Sequence, residues 1–262
     1  MSLKILQRIT MFVFAVTLLT FVGLKFYIAR TVDRTPPVIS FDSDVVEVDV
    51  GAGEDVLLTG VTAWDDRDGD VTGEVMIKGV SQLITADSAK ITYIAFDSAN
   101  NMSIANRTVR YANYEKPHFA LTSPLIFPLG GQVSILEKLT ARDVVDGDLT
   151  GSIRVTTQNV ETARAGVYSI TVQVTNSLGD VETLPLKVTM TDSAGTAPNV
   201  TLSSYIIYRN VGQSFHPTAY ITAPADPSAV TVDSNVDTSR AGIYEVTYTY
   251  QGDTVYQTVV VR

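Results

Sequence analysis

One motif occurs twice in this chain, and its recurrence limits the fold more than any other feature. Residues 62–73 read Thr-Ala-Trp-Asp-Asp-Arg-Asp-Gly-Asp-Val-Thr-Gly, and residues 140–151 read Thr-Ala-Arg-Asp-Val-Val-Asp-Gly-Asp-Leu-Thr-Gly. A recurrence at this distance marks tandem copies of one small domain. The copies extend beyond the motif. Residues 90–96 and 104–111 are strand candidates around the turn Asp97-Ser98-Ala99-Asn100-Asn101, and residues 167–175 and 181–190 flank Asn176-Ser177-Leu178-Gly179-Asp180 in the same way. A third unit begins near Pro198. It lacks Asp-Gly-Asp, but Thr238-Ser-Arg-Ala-Gly-Ile-Tyr244 repeats Thr162-Ala-Arg-Ala-Gly-Val-Tyr168 at nearly the same distance.

The 262 residues suffice for three such units of about 80 residues each. Val and Thr are abundant, and residues 45–50 alternate in polarity, as a half-buried strand does. Short strands with frequent turns predict a two-sheet sandwich of roughly seven strands per unit. The Gly-x-Tyr at Gly166 and Gly242 resembles a tyrosine corner, in which the phenol bonds a nearby backbone group. The linkers, residues 113–117 and 193–198, are short and favour a semi-rigid stack, with domains of ~35–40 Å reaching roughly 100 Å or more.

Residues 9–24 (ITMFVFAVTLLTFVGL) carry no charge. They rise only ~24 Å as a helix, short of a hydrocarbon core of ~30 Å. Residues 25–29 extend the span to about 31 Å once Lys25 carries its ammonium to the interface. No small-x-small cleavage site precedes Pro36-Pro37, so an uncleaved signal anchor is expected at 9–29 rather than a removed signal peptide. Lys4 and Arg8 place residues 1–8 in the cytoplasm, with a linker at 30–35 and residues 35–262 outside the cell. The net charge of −9 divides into +4 over residues 1–34 and −13 over the rest, and so acidic a body argues against nucleic acid as a partner. There is no Cys, so each domain must stand on its core alone.

These motifs resemble the bacterial Ig-like domain of the pesticidal-crystal-protein type, found in tandem on Gram-positive surface proteins. The second unit carries the resemblance best, through Ala141, Asp143, Asp146-Gly147-Asp148-Leu149-Thr150, Gly166 and Tyr168. The first matches at Ala63, Asp65, Asp68-Gly69-Asp70, Thr72 and the turn from Asp97 to Asn101; the third keeps only Gly242, Tyr244 and Tyr248. The resemblance implies an extracellular Ig-like fold and no enzymatic activity. The expected architecture is all-β: three tandem Ig-like β-sandwich domains at 36–114, 115–192 and 193–262, behind one N-terminal transmembrane helix.

The acidic loops admit two readings. Asp65, Asp66, Asp68 and Asp70 crowd one loop, and Asp143, Asp146 and Asp148 the other. As turns, Asp accepts from backbone N–H groups, Gly takes positive φ and Thr opens the next segment. As metal loops they would hold calcium, which takes six to eight hard oxygens, and no other cofactor is suggested by the residues. The turn reading is preferred, because the third unit lacks the motif. Seven of the twelve tyrosines lie in the third unit. Tyr244, Tyr248 and Tyr250 fall on the core face of one strand, whereas Tyr205, Tyr208 and Tyr220 are candidates for a distal ligand surface. His118 and His216, the only histidines, have no nucleophile or zinc context. The expected function is a membrane-anchored spacer, adhesion or envelope-assembly protein with a surface protein or glycan as partner. The alternative is a carbohydrate or surface-polymer binding module that uses the third domain.

Overall fold

A computed structural model describes residues 3–192 and 197–262, without the Ala29 side chain. The second linker candidate, 193–198, lies largely outside the described residues. The chain forms two compact units, one up to Ala112 and one from Asn113 to Arg262.

The first unit opens with a helix, α1 (Leu3–Thr31). Its stretch Leu3–Ile28 has a mean hydropathy of 2.1 and holds no buried residue across its apolar span, so by length and composition it can cross a membrane. The helix starts earlier than the apolar run alone predicts. Polar groups inside it are satisfied locally: the Thr10 and Thr17 hydroxyls donate to the Leu6 and Val13 carbonyls at 3.0 and 2.8 Å. The Lys25 ammonium lies 5.8 Å from the centre of the Phe21 ring, one turn back.

A sandwich follows. β1 (Val38–Phe41), β3 (Val61–Asp65) and β4 (Gly69–Asp70) form one sheet; β2 (Val45–Val48), β7 (Met102–Tyr111), β6 (Ser88–Phe96) and β5 (Met76–Val80) form the other, in that order. β2 runs parallel to β7, and the remaining pairs are antiparallel. Alternation selects the inner faces: Ile91, Tyr93 and Ala95 are fully buried on β6, opposite Val61 and Ala63 of β3. The Tyr93 hydroxyl donates to the Leu57 carbonyl at 2.7 Å, which supplies the partner a buried phenol needs.

The second sandwich repeats this plan. β8 (His118–Leu121), β10 (Leu139–Asp143) and β11 (Gly147–Asp148) form one sheet. β9 (Ile126–Pro128), β14 (Val181–Thr191), β13 (Gly166–Thr175) and β12 (Arg154–Gln158) form the other. The third is reduced: β15 (Thr201–Leu202) pairs with β17 (Ile221–Ala223), opposite β16 (Ile206–Arg209), β20 (Asp253–Val261), β19 (Gly242–Tyr250) and β18 (Thr231–Ser234). The parallel pairing of second and last strand recurs in both.

The second and third sandwiches are one body. Their buried side chains form a single cluster running from Phe119 to Val261. Backbone bonds reach the seam: Tyr205 N–H donates across it to the Leu121 carbonyl at 2.8 Å, and Thr258 N–H donates to the Tyr205 carbonyl at 2.9 Å within the third sandwich. Arg262 lies 3.7 Å from Glu182, the Thr258 hydroxyl reaches the Pro185 carbonyl at 3.4 Å, and Lys187 lies 3.8 Å from Glu245. This order of contacts means that β14 and β20 pass in opposite directions, side by side. The end-to-end stacking expected for these two domains is therefore corrected: they flank each other, and their lengths do not add.

Candidate functional site

The two acidic loops share a turn that the sequence specifies locally. In the first sandwich, Asp65 Oδ1 accepts from the N–H groups of Arg67 and Asp68 at 2.9 and 3.0 Å. In the second, Asp143 Oδ1 accepts from Val145 and Asp146 at 3.1 and 2.7 Å. Gly69 and Gly147 sit at φ of 76° and 73°, where a Cβ is strained. Asp70 and Asp148 accept the N–H of Thr72 and Thr150, both at 2.9 Å. Bonds from the threonine hydroxyl and amide hold both carboxyls below the usual range. Asp70 and Asp148 are thus occupied as turn acceptors. The third unit retains this last device: Asp226 Oδ1 accepts from Ser228 N–H at 2.9 Å. Asp226 lies as far beyond Asp148 as Asp148 lies beyond Asp70. Pro227 conceals the remnant in the sequence.

A second loop closes over each turn, and here the sandwiches differ. Asp68 Oδ2 accepts from Ser98 N–H, and Asp146 Oδ2 from Ser177 N–H, both at 2.7 Å. In the second sandwich, Asn176 donates its amide to Asp143 Oδ2 at 2.9 Å and to the Tyr114 hydroxyl at 3.0 Å. Asp180 accepts that hydroxyl at 2.8 Å. Each carboxylate there meets a donor. In the first sandwich, Asp97 stands where Asn176 does and Asn101 where Asp180 does. The amide and the carboxylate have exchanged places.

The exchange leaves carboxylates facing one another. Among the described residues, two groupings bring acidic oxygens within 4.8 Å of each other: Asp65 with Asp68 and Asp97, and Asp65 with Asp33 and Asp66. Both centre on Asp65 of the first sandwich, and the second adds Asp33 from the segment that leaves α1. Asp65 is 1% exposed, and its Oδ2 has no hydrogen-bond partner. Asp65, Asp66 and Asp68 were legible as candidates, whereas Asp33 and Asp97 were not, because they lie outside the motif. The signal was present in the turn residues: Asp97…Asn101 against Asn176…Asp180.

The tyrosines resolve differently from expectation. Tyr205 is 2% exposed and Tyr208 accepts Phe119 N–H at 2.9 Å inside the seam, so neither lines a free surface. Burial raises both phenol pKa values above the ordinary one. Tyr220 is half-buried and stacks on Phe215 at 5.6 Å. A glycan surface would have to rest on that pair. Tyr168 and Tyr244 donate to the carbonyls of Arg164 and Arg240, each at 2.9 Å, and their rings lie over Gly166 and Gly242. His118 packs against Tyr208 at 4.7 Å and lies 2.7 Å from Arg262, beside no nucleophile. A groove of about 250 Å³ beside Lys187 and Tyr244 is smaller than the ~300–1,000 Å³ usual for ligand pockets.

An apolar N-terminal helix followed by three β-sandwiches, two with a tyrosine corner, defines a tandem β-sandwich architecture. Residues 223–261 match the bacterial Ig-like domain (group 3). The match falls on the third unit, the one whose sequence kept least of the motif. Pesticidal crystal protein Cry22Aa of Bacillus thuringiensis is 35% identical over 120 residues, which is 42% of this chain and 16% of that protein. Two solved structures are similar at low level. The M60 catalytic domain with CBM51 domains from Clostridium perfringens ZmpB is 9% identical with a TM-score of 0.25, over 59% of this chain and 31% of that one. The surface-layer protein rSbsC is 12% identical with a TM-score of 0.21, over 87% and 40%. At these scores neither bears on function.

Proposed function

We propose that this chain is a membrane-anchored surface protein that acts by position and contact rather than catalysis. Residues 9–29 anchor it, residues 1–8 stay in the cytoplasm and residues 35–262 face outward as a spacer, adhesion or envelope-assembly component. The observation that carries this reading is the join of one exposed apolar helix to Cys-free Ig-like sandwiches with well-packed apolar cores. The resemblance to bacterial Ig-like domains supports a non-enzymatic role. The acidic body suits contact with a protein or glycan partner and not with nucleic acid.

Protease treatment of intact cells tests the topology. Residues 35–262 should be lost while a short anchored fragment remains. Full protection of the sandwiches in intact cells, with digestion after lysis, would place them on the cytoplasmic side and end this reading.

A further inference from the structure

We propose that the first sandwich, and not the second, binds a calcium ion through the carboxylate oxygens of Asp65, Asp68 and Asp97, beside a second grouping in which Asp33 and Asp66 approach the same Asp65. Asp65 Oδ2 belongs to a side chain that is 1% exposed, and no N–H or O–H reaches it. A buried ionised carboxylate is costly without a partner. Asp65, Asp68 and Asp97 each bring a carboxylate oxygen to within 4.8 Å of the others. Three oxygens within that separation lie no more than about 2.8 Å from a common centre, so closure by a few tenths of an ångström brings them to the ~2.4 Å calcium–oxygen distance. The donors are all hard oxygens, with no His or Cys among them, which selects calcium-class ions over zinc or copper.

Each carboxylate is already aimed. Asp65 Oδ1 is held by two backbone N–H groups, and Asp68 by the amide and hydroxyl of Ser98 at 2.7 and 2.9 Å. Asp97 takes the Asn101 amide nitrogens, backbone and side chain, at 2.7 Å each. The Thr35 hydroxyl lies 2.7 Å from both Asp33 and Asp66. Asp33 Oδ2 is, like Asp65 Oδ2, buried and unpartnered. The neighbouring cation, Arg67, directs its guanidinium to the Arg30 carbonyl at 3.1 Å.

The second sandwich supplies the control. It has the same turn, the same Asp-Gly-Asp and the same closing loop, but Asn176 replaces Asp97. Its amide fills the place on Asp143 Oδ2 that stays open on Asp65. One sandwich satisfies the buried carboxylate with a donor of its own, and the other requires a cation. Asp33 lies just beyond the end of α1 at Thr31, so the second grouping brings the segment leaving the helix up to the same buried Asp65.

The test uses the full chain in detergent micelles. Terbium luminescence sensitised by Trp64, the only tryptophan and the neighbour of Asp65, reports occupancy directly. Calcium should displace terbium with half-saturation at about 0.1–1 mM, the range of extracellular modules. At tenfold that concentration, calcium should raise the melting midpoint of the first sandwich by roughly 5–10 °C over EDTA. Asp97→Asn should abolish both responses and melt in EDTA no lower than the parent, because Asn there can donate to Asp65 as Asn176 does to Asp143. Asp146→Asn should leave both responses intact. The proposal is overturned by a parent protein that does not respond to calcium, by a response that survives Asp97→Asn, or by an equal response to magnesium.

Discussion

Tyr168 and Tyr244 show how far a single residue can be read from its neighbours. The Gly-x-Tyr spacing implied a phenol turning back to the backbone, and each hydroxyl does bond the carbonyl one turn of chain earlier, at Arg164 and Arg240. Replacing either by Phe keeps the ring and removes one hydrogen bond. Tyr168→Phe and Tyr244→Phe should each lower unfolding stability by about 0.5–1.5 kcal/mol, read from denaturant midpoints. An unchanged midpoint would mean water replaces the bond at no cost. The Asp turns were legible for the same reason, since their partners lie two or three positions away. Asp97 was not. Its significance comes from Asp65, a carboxylate at the end of β3 on the other sheet, which no local pattern reports.

At the level of elements, strand alternation placed the core faces of β13 and β19 correctly, with Val172 and Tyr248 fully buried. It did not foresee β20, where Val255 and Gln257 to Val261 are buried on both faces. One face packs into the third sandwich and part of the other meets the second. Gln257 stands in the middle of this strand, fully buried. It donates to the Ser204 carbonyl at 2.7 Å and accepts the Tyr248 hydroxyl at 2.8 Å. Gln257→Leu strands both partners, although Tyr248 retains the Pro217 carbonyl at 3.1 Å. We expect a loss of about 1–3 kcal/mol. The double change Tyr248→Phe with Gln257→Leu should cost less than the sum of the single changes, because it removes donor and acceptor together. Strict additivity in a double-mutant cycle would refute the coupling.

Across the larger body, the seam between the second and third sandwiches gives this chain a titratable joint. His118 faces Arg262 and Tyr208, with Glu115 3.9 Å away and Asp143 acting from β10, while Glu182 pairs with the same Arg262 at 3.7 Å. Burial first, and then the Arg262 charge, lower the His118 pKa below 6.5. A lowered pKa means that the unfolded chain binds the proton more readily. The contribution of His118 is complete above pH 6.5 and is lost as the pH falls through its folded value. Burial raises the Glu182 pKa above 4.5, so this residue acts with the opposite sign, favouring the fold as pH falls through its own folded value. Calorimetry at about pH 7.5 should show the two sandwiches melting in one transition, as one buried cluster requires. Lowering the pH to about 5.5 should depress that midpoint, and His118→Gln should shrink the depression. An identical pH response in the variant would assign the effect elsewhere.

The sequence alone determined the repeat, the sandwich class, the strand order around each hairpin, the apolar helix and the geometry of the Asp turns. All of these depend on interactions between residues close in sequence, or on a periodicity that the backbone imposes. Tertiary structure alone decided that Tyr205 and Tyr208 are seam residues and not a surface. It also decided that two sandwiches lie side by side and that only one acidic loop leaves a buried carboxylate open. Those outcomes turn on which faces meet and on which side chain, Asp97 or Asn176, arrives opposite an otherwise identical turn.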